Sequence, residues 1–546
     1  MLAATLPDDI IIGLFNQAAL IDQPSERDDN ERTLPNLGWI NLTHVCRQWR
    51  TVGIECMAPL WASIVTTFGT HTIANMIEHR ARGCNLTLRV TKDGASYPRS
   101  RRVSMVDWSL ERMSRAQKIE FIARLHFNTS NSALHAAFDG VHLPSLTYLD
   151  VCSAITPLAQ FEAPAGATIV SHLRDVRFET PNLVVAHMSN ILPSPSSSLQ
   201  SLRRLRLMFP TFRVNITMTH IVNCLLSLPR IEDLSLDCPK CSPEEDPYKR
   251  GIRDLNLNHL VTLCLKVSDA DDAITLLETL HAPFLSKIKT TIAGQMTDDD
   301  SQCRLLNNSL SRYVEQLHFD IASFSNNGLR LSLSVINKDT LASEHEDVFE
   351  LWLLSDCLRP RGYHTLTLFA EASSSLFKSV TSCCLDCLGH SLDSAELAPS
   401  YLVLPTTSVI RRLGRCFPNA SSIRLSELAI QHIAFDVMKE EPPDLFFPSM
   451  RFIIMDVTKY GNLICTRESA KEWWGIVREA LRNRSGKNRP LAGLILEDDW
   501  GTSTLWYEVC SAEAEENRRL GLVAQVIDRR KHVTGSVATV GFPPSQ

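Results

Sequence analysis

Glycine is scarce: 22 of 546 residues, about 4% against a usual ~7%. Little material is left for phosphate-cradling loops, and no Gly-x-x-x-x-Gly-Lys-Ser/Thr, Gly-x-Gly-x-x-Gly, His-Glu-x-x-His or Gly-x-Ser-x-Gly occurs. A triad placed by the fold would escape such patterns. Even so, no residue presents itself as a catalyst, and the chain is read as a non-enzyme without a cofactor. A basic excess is also missing. With 55 Lys+Arg against 61 Asp+Glu the net charge is −6, too acidic for phosphate-counterion displacement to be its main business, so no nucleic-acid partner is expected. No uncharged apolar run approaches the ~18 residues of a membrane span. The opening Met1-Leu2-Ala3-Ala4-Thr5-Leu6-Pro7-Asp8-Asp9 lacks the basic and apolar regions of an export signal. An intracellular protein of cytoplasm or nucleus, off the membrane, is expected, with its 16 cysteines reduced and mostly buried.

What is present, 44% hydrophobic and 21% charged residues, is ordinary for a folded chain, and the length allows two to four domains or one repeat array. Cys238-Pro239-Lys240-Cys241 and Cys383-Cys384-Leu385-Asp386-Cys387 are far apart, and neither has the second ligand pair that structural zinc requires. Both are read as free thiols, the second within an irregular stretch, and no metal site is expected. Asp298-Asp299-Asp300 and Glu497-Asp498-Asp499 read as solvated loop carboxylates, and Arg99-Ser100-Arg101-Arg102 as a surface loop.

Near the N-terminus, Pro7, Asp8 and Asp9 suit a first helical turn. Ile10, Ile11, Leu14, Phe15 and Ala18 follow at helical spacing. A polar stretch over 22–36 reads as a solvated insertion, after which Leu42, Val45, Cys46, Trp49 and Val52 make a second helical stripe. Two or three short helices bury too little surface to stand alone, so they should lean on a partner or on the rest of the chain.

Leu6-Pro7-Asp8-Asp9-Ile10 to Phe15, Val45-Cys46-Arg47-Gln48-Trp49 and Leu60-Trp61, in that order, resemble an F-box of the form common in mushroom-forming fungi. The resemblance covers about residues 5–65, and the insertion at 22–36 departs from it. It implies a small all-α domain over 1–65 that docks on a Skp-family adaptor, and through it on a cullin. The matching positions are Leu6, Pro7, Ile10, Ile11, Leu14, Phe15, Leu42, Val45, Cys46 and Trp49.

Over 66–546 the question is whether a repeat exists. The pattern apolar-x-x-apolar-x-apolar is met by chance at about 0.085 of positions in a chain of this apolar content, so spacing has to carry the argument. Leu202-Arg-Arg-Leu205-Arg-Leu207, Ile231-Glu-Asp-Leu234-Ser-Leu236 and Leu260-Val-Thr-Leu263-Cys-Leu265 recur at steps of 29. Around them lie the centres Ile119, Leu149, Val176, Ile288 and Leu317, and further on Leu366, Ala395, Ile423, Ile453, Leu494 and Val523. One strand per repeat with a helix or irregular segment behind it fits this period, as in Glu468 to Leu481 followed by Leu491 to Leu496. Asn326-Asn327-Gly328 between strand-like runs predicts an inserted hairpin at about 314–336. The body resembles an irregular leucine-rich repeat, although the family's Asn or Cys after the strand is replaced by Pro210, Pro239 and Ser268.

The fold expected is therefore α/β, a small N-terminal all-α F-box followed by an irregular solenoid of parallel strands backed by helices. The resemblance implies a substrate-receptor subunit of an SCF-type cullin-RING ubiquitin ligase, monomeric within its complex, which recruits a protein target. A non-degradative repeat scaffold is the alternative. Since strand side chains alternate, Asp175, Arg204 and Asp233 should form one outward row, and Arg177 and Arg206 should sit side by side as a site for an acidic or phosphorylated substrate segment.

Overall fold

The computed structural model describes residues 6–25, 35–90, 99–121, 138–152, 173–209, 216–238, 254–267, 269–292, 300–314, 321–325, 330–334, 347–353, 371, 378, 380–386, 407–425, 428–443, 445–456, 467–498 and 504–530. The protein is mixed α/β with parallel sheets. It divides into two compact units, Met1–Cys264 with Thr279–Leu285, and Leu265–Glu278 with Ser286–Gln546. The N-terminal helices thus share a unit with the first strands, and no boundary by compactness falls after residue 65.

The first unit begins with helices α1 (Asp8–Ile21), α2 (Arg47–Glu55), α3 (Ala58–Ser63) and α4 (His71–Arg80). There follow β1 (Leu86–Val90), α5 (Arg99–Leu110), β2 (Ala116–Phe121), β3 (Tyr148–Cys152), β4 (Leu173–Val176), β5 (Val185–Ser189), β6 (Ile191–Pro193), β7 (Arg204–Met208), α6 (Met218–Leu226) and β8 (Asp233–Cys238). The strand order β1-β2-β3-β5-β7-β8 is parallel throughout. Parallel neighbours need crossovers, which α5 supplies before β2 and α6 before β8. Thr217 starts α6, its hydroxyl accepting from the His220 N–H while its own N–H donates to His220 Nδ1 at 3.1 Å. Ile221, Val222, Cys224 and Leu225 of α6 are buried. Burial pushes the Cys224 thiol up to about 12, which leaves it unreactive packing material.

Two apolar residues spaced two apart in every strand create two buried ladders. One is Leu88, Ile119, Leu149, Ala186, Leu205 and Leu234; the other is Val90, Phe121, Val151, Met188, Leu207 and Leu236. The expected centre Val176 is not among them. Its strand β4 pairs with β6 in a separate two-stranded sheet, and β5 occupies the place between β3 and β7. The segment Leu183-Val-Val-Ala186-His-Met188 fits the same apolar pattern as Leu173 to Phe178. Equal spacing favoured the wrong one, because the connection before β5 is long and the one after it short.

Short strands β9 (Leu255–Asn256) and β11 (Leu280–His281) pair with each other, β10 (Thr262–Val267) straddles the unit boundary, and α7 (Ala270–Thr279) follows it. The second unit contains β12 (Lys287–Ile292), α8 (Asp300–Val314), β13 (Ile321–Ser325), β14 (Arg330–Ser334), β15 (Asp347–Leu353), β16 (Ser382–Asp386) and α9 (Thr407–Cys416). It continues with β17 (Ser422–Leu425), α10 (Leu428–Glu440), β18 (Phe452–Asp456), α11 (Arg467–Gly486), β19 (Leu491–Asp498), α12 (Thr504–Arg519) and β20 (Val523–Arg530). Its strand order is β12-β15-β14-β13-β16-β17-β18-β19-β20, with only β14 antiparallel to its neighbours in the pairings between described strands.

The expected hairpin is present as β13 and β14, with Ser325 opposite Arg330; its turn and Leu317 lie outside the described residues, and Val314 ends a helix. The helix-then-strand order of α11 and β19 is as expected. Leu494 is opposite Val526, three residues past the expected Val523, and Ile423 is opposite Cys383. Cys383 therefore lies in a strand and not in an irregular stretch. Leu366 and Ala395 lie outside the described residues. Arg99 to Arg102 form the first turn of α5 and not a loop.

Gly414 in α9 marks a tight contact, since a Cβ there would come within 2.3 Å of Phe446 Cδ2. The Phe446 ring is itself held edge-on against Phe447 at 4.9 Å between centroids, so it has little room to yield. Gly414→Ala should gain ~1 kcal/mol of helix propensity and lose about 1–3 kcal/mol to overpacking. A lower urea midpoint is the expected result; a raised one would show that the ring steps aside.

Candidate functional site

Two surfaces of the first unit carry the residues singled out by sequence. The first is the N-terminal helical cluster. Phe15 of α1 lies against Trp39 at 6.1 Å and Trp49 at 6.2 Å, and Trp39 against Trp61 at 4.8 Å. Gly53 makes this packing possible, because a Cβ there would be 2.8 Å from both Phe15 Cζ and Thr43 Cγ2. Gln48 Nε2 donates to the Leu6 carbonyl at 3.0 Å and to Asp8 Oδ1 at 2.8 Å, which pins the start of α1 to α2. The ends of the polar insertion are closed by mutual Ser25 and Asn36 backbone bonds, with Gly38 at φ +51° just beyond.

This packing divides the ten expected adaptor contacts. Ile11, Phe15 and Trp49 are core, Leu6, Leu42 and Cys46 are half-buried, and Pro7, Ile10, Leu14 and Val45 face solvent. The second stripe is not one helix: a 3-10 segment Gly38–His44 ends before Cys46, whose extended backbone (φ −160°) starts α2 and leaves Val45 outside. The outward residues are large and apolar, with Ile10 48%, Leu14 41% and Val45 48% exposed, and Leu20 and Ile21 continue the apolar exposure at the end of α1.

The second surface is the open face of the parallel sheet, where residues between the buried ladders point out. One row runs Thr87, Lys118, Tyr148, Val185, Arg204, Asp233; the next runs Arg89, Glu120, Asp150, His187, Arg206, Ser235. Glu120 is buried between Arg89 and Lys118, whose Nζ is 2.8 Å from Oε1. Burial alone would push Glu120 up, but the hydrogen bonds and charges of those two cations hold its carboxyl below the usual range. Lys118 also lies 4.5 Å over the Tyr148 ring. Tyr148 meets His187 edge-on, at 5.8 Å between centroids, and both reach Asp150 Oδ2, the Tyr148 hydroxyl at 3.5 Å and His187 Nδ1 at 3.4 Å. Burial and the nearby Asp150 and Glu120 charges push the Tyr148 hydroxyl up.

Arg204 pairs with Asp233 at 3.3 Å, as the expected charge compensation requires, whereas Asp175 lies on β4 in the other sheet. Arg177 and Arg206 are not neighbours. Arg177 lies just past β4, its guanidinium on Glu179 at 2.5 Å and its N–H on Asp139 at 2.9 Å. Arg206 is flanked instead by His187 and Ser235, and its side chain makes no hydrogen bond or ion pair among the described residues. The outward residues of β2 and β3 follow from centres 119 and 149 by the same one-residue offset; His187 escapes that offset because the centre Val176 belongs to β4 and not to β5.

In the second unit, Glu497 binds Arg424 and Arg529, the latter at 3.0 Å, so it is a half-buried ion-pair hub of β19 and not a solvated loop acid. Cys238 and Cys383 are buried, Cys241 and Cys387 lie outside the described residues, and no metal-holding cluster of His, Cys, Asp and Glu occurs among the described residues. Among these residues no helix is long and apolar enough to cross a membrane. The chain matches no protein-family model and no curated protein.

Proposed function

We propose that this protein is the substrate-receptor subunit of an SCF-type ubiquitin ligase, docking on a Skp-family adaptor through its N-terminal helices and holding a protein target on an irregular leucine-rich-repeat body. The carrying observation is the exposed Ile10, Leu14 and Val45 set on an aromatic core of Phe15, Trp39, Trp49 and Trp61. Apolar side chains presented by a well-packed support are what a partner can bury without reordering the chain. The aligned parallel strands, each with apolar residues at its centre and two beyond, support the repeat reading. Such a receptor makes and breaks no bonds. It raises the effective concentration of a target lysine near a ubiquitin-charged enzyme.

Leu14→Glu tests docking without touching the core. Capture of the adaptor by the full chain should fall by at least ~2 kcal/mol, about 30-fold, with the melting temperature unchanged. Ile11→Glu would be a poor test, because Ile11 is fully buried and its loss would unfold the helices. Unchanged adaptor capture by Leu14→Glu would overturn the docking assignment. Recovery of the cullin, with partners that accumulate when the proteasome is blocked, separates a ligase receptor from a scaffold.

A further inference from the structure

The open face of the first sheet contains three carboxylates in the two rows described above, and each is engaged. Glu120 is taken by Arg89 and Lys118, Asp150 by the Tyr148 hydroxyl and His187, and Asp233 by Arg204. Arg206 is left over: an exposed guanidinium in the row of Glu120 and Asp150, with no acid of its own among the described residues. Its row neighbours lie one strand spacing away, about 4.8 Å. On one side is the half-buried imidazole of His187, on the other the half-buried Ser235.

From this charge complementarity we infer that Arg206, assisted by Ser235, anchors a carboxylate side chain of an acidic segment in a protein partner laid on this face. The inference rests on the receptor reading and names the class of target. Arg presents paired N–H donors in a plane that matches a carboxylate, and the Ser235 hydroxyl adds a third donor from the adjacent strand. With its Nδ1 committed to Asp150, His187 keeps the Tyr148–His187 pair edge-on, a partly apolar wall against which the partner's backbone can rest. Arg204 is already paired with Asp233, and Arg177 with Glu179.

The test uses the full chain and fluorescein-labelled peptides of repeated Gly-Glu-Ala-Glu, with the matching Gln peptide and a phosphoserine version as probes. Saturable binding of the Glu peptide, absent for the Gln peptide, is expected. Arg206→Ala should weaken it by about tenfold or more, Arg206→Lys should restore part of it, and Arg177→Ala should leave it unchanged. Melting temperature and adaptor capture should not move in any of the three. Equal binding of Glu and Gln peptides, no binding of either, binding confined to the phosphoserine peptide, or full binding by Arg206→Ala would each overturn the proposal. Adaptor capture is read on the same samples. If the adaptor is held while the Glu peptide fails, only this inference falls; if the adaptor is not held, the receptor reading falls whatever the peptide does.

Discussion

Trp61→Ala should unfold the N-terminal helices and abolish the proposed adaptor capture, although Trp61, 1% exposed, offers a partner almost no surface. The indole closes the core against Trp39, donates Nε1–H to the Gly53 carbonyl at 2.7 Å, and supports the Arg80 guanidinium 4.5 Å over its ring. Truncating a buried Trp costs about 3–5 kcal/mol, and here it also leaves a buried carbonyl without its donor. Against a typical stability of ~5–15 kcal/mol, and in a cluster of short helices, that loss should release the region from the rest of the unit. Limited proteolysis between α1 and α4, with near-ultraviolet circular dichroism for the aromatic cluster, reads the effect. Trp61→Phe keeps most of the ring packing and should lose far less. Capture lost together with folded signal in Trp61→Ala, but lost alone in Leu14→Glu, would separate the support from the contact surface. Full resistance to protease in Trp61→Ala would show that the aromatic core is dispensable.

The division between support and surface was only half legible in the sequence. Apolar residues at helical spacing place Ile10, Ile11, Leu14 and Phe15 on one stripe, yet a stripe four residues wide is broader than the contact with a single neighbouring helix. Which edge of it turns outward is set by tertiary partners, Trp39 and Trp49 for Phe15, that helical period does not reveal. The break at Cys46 was likewise hidden, because a 3-10 turn running into an α-helix keeps apolar residues three and four apart without keeping them on one face. In the body, steps of 29 gave the aligned centres Leu205 and Leu234 because both adjoining strands are joined through one helix of ordinary length. Where the described connections contain no helix, as from β4 to β5 and from β6 to β7, the step is no longer fixed by geometry, and Ala186 takes the place expected for Val176. The open-face site inherited that error: Arg206 was identified, while its neighbour on the β5 side turned out to be His187 and not Arg177.

Leu234→Ala should strongly destabilise the first sheet, and Ser235→Ala, one residue on, should be nearly silent. Leu234 is 2% exposed on β8, beside Leu205 of β7 in the buried ladder, with α6 entering the chain between the two strands. Parallel pairing fixes the strand backbones on this side, from Arg204 with Asp233 to Met208 with Asp237, so the sheet cannot draw in to fill the space of three lost carbons. The expected cost is about 2–5 kcal/mol, the transfer term plus the cavity that remains. Leu234→Met, which conserves volume, should cost less than ~1.5 kcal/mol. Ser235 points to the open face, where a change of this kind is worth within about ±0.5 kcal/mol. Urea denaturation of the full chain, followed by hydrogen exchange at the β7 and β8 amides, distinguishes loss of this sheet from loss elsewhere. Comparable costs at the two positions would mean that the strand does not alternate as the buried ladders require, and the assignment of Arg206 to the open face would fall with it.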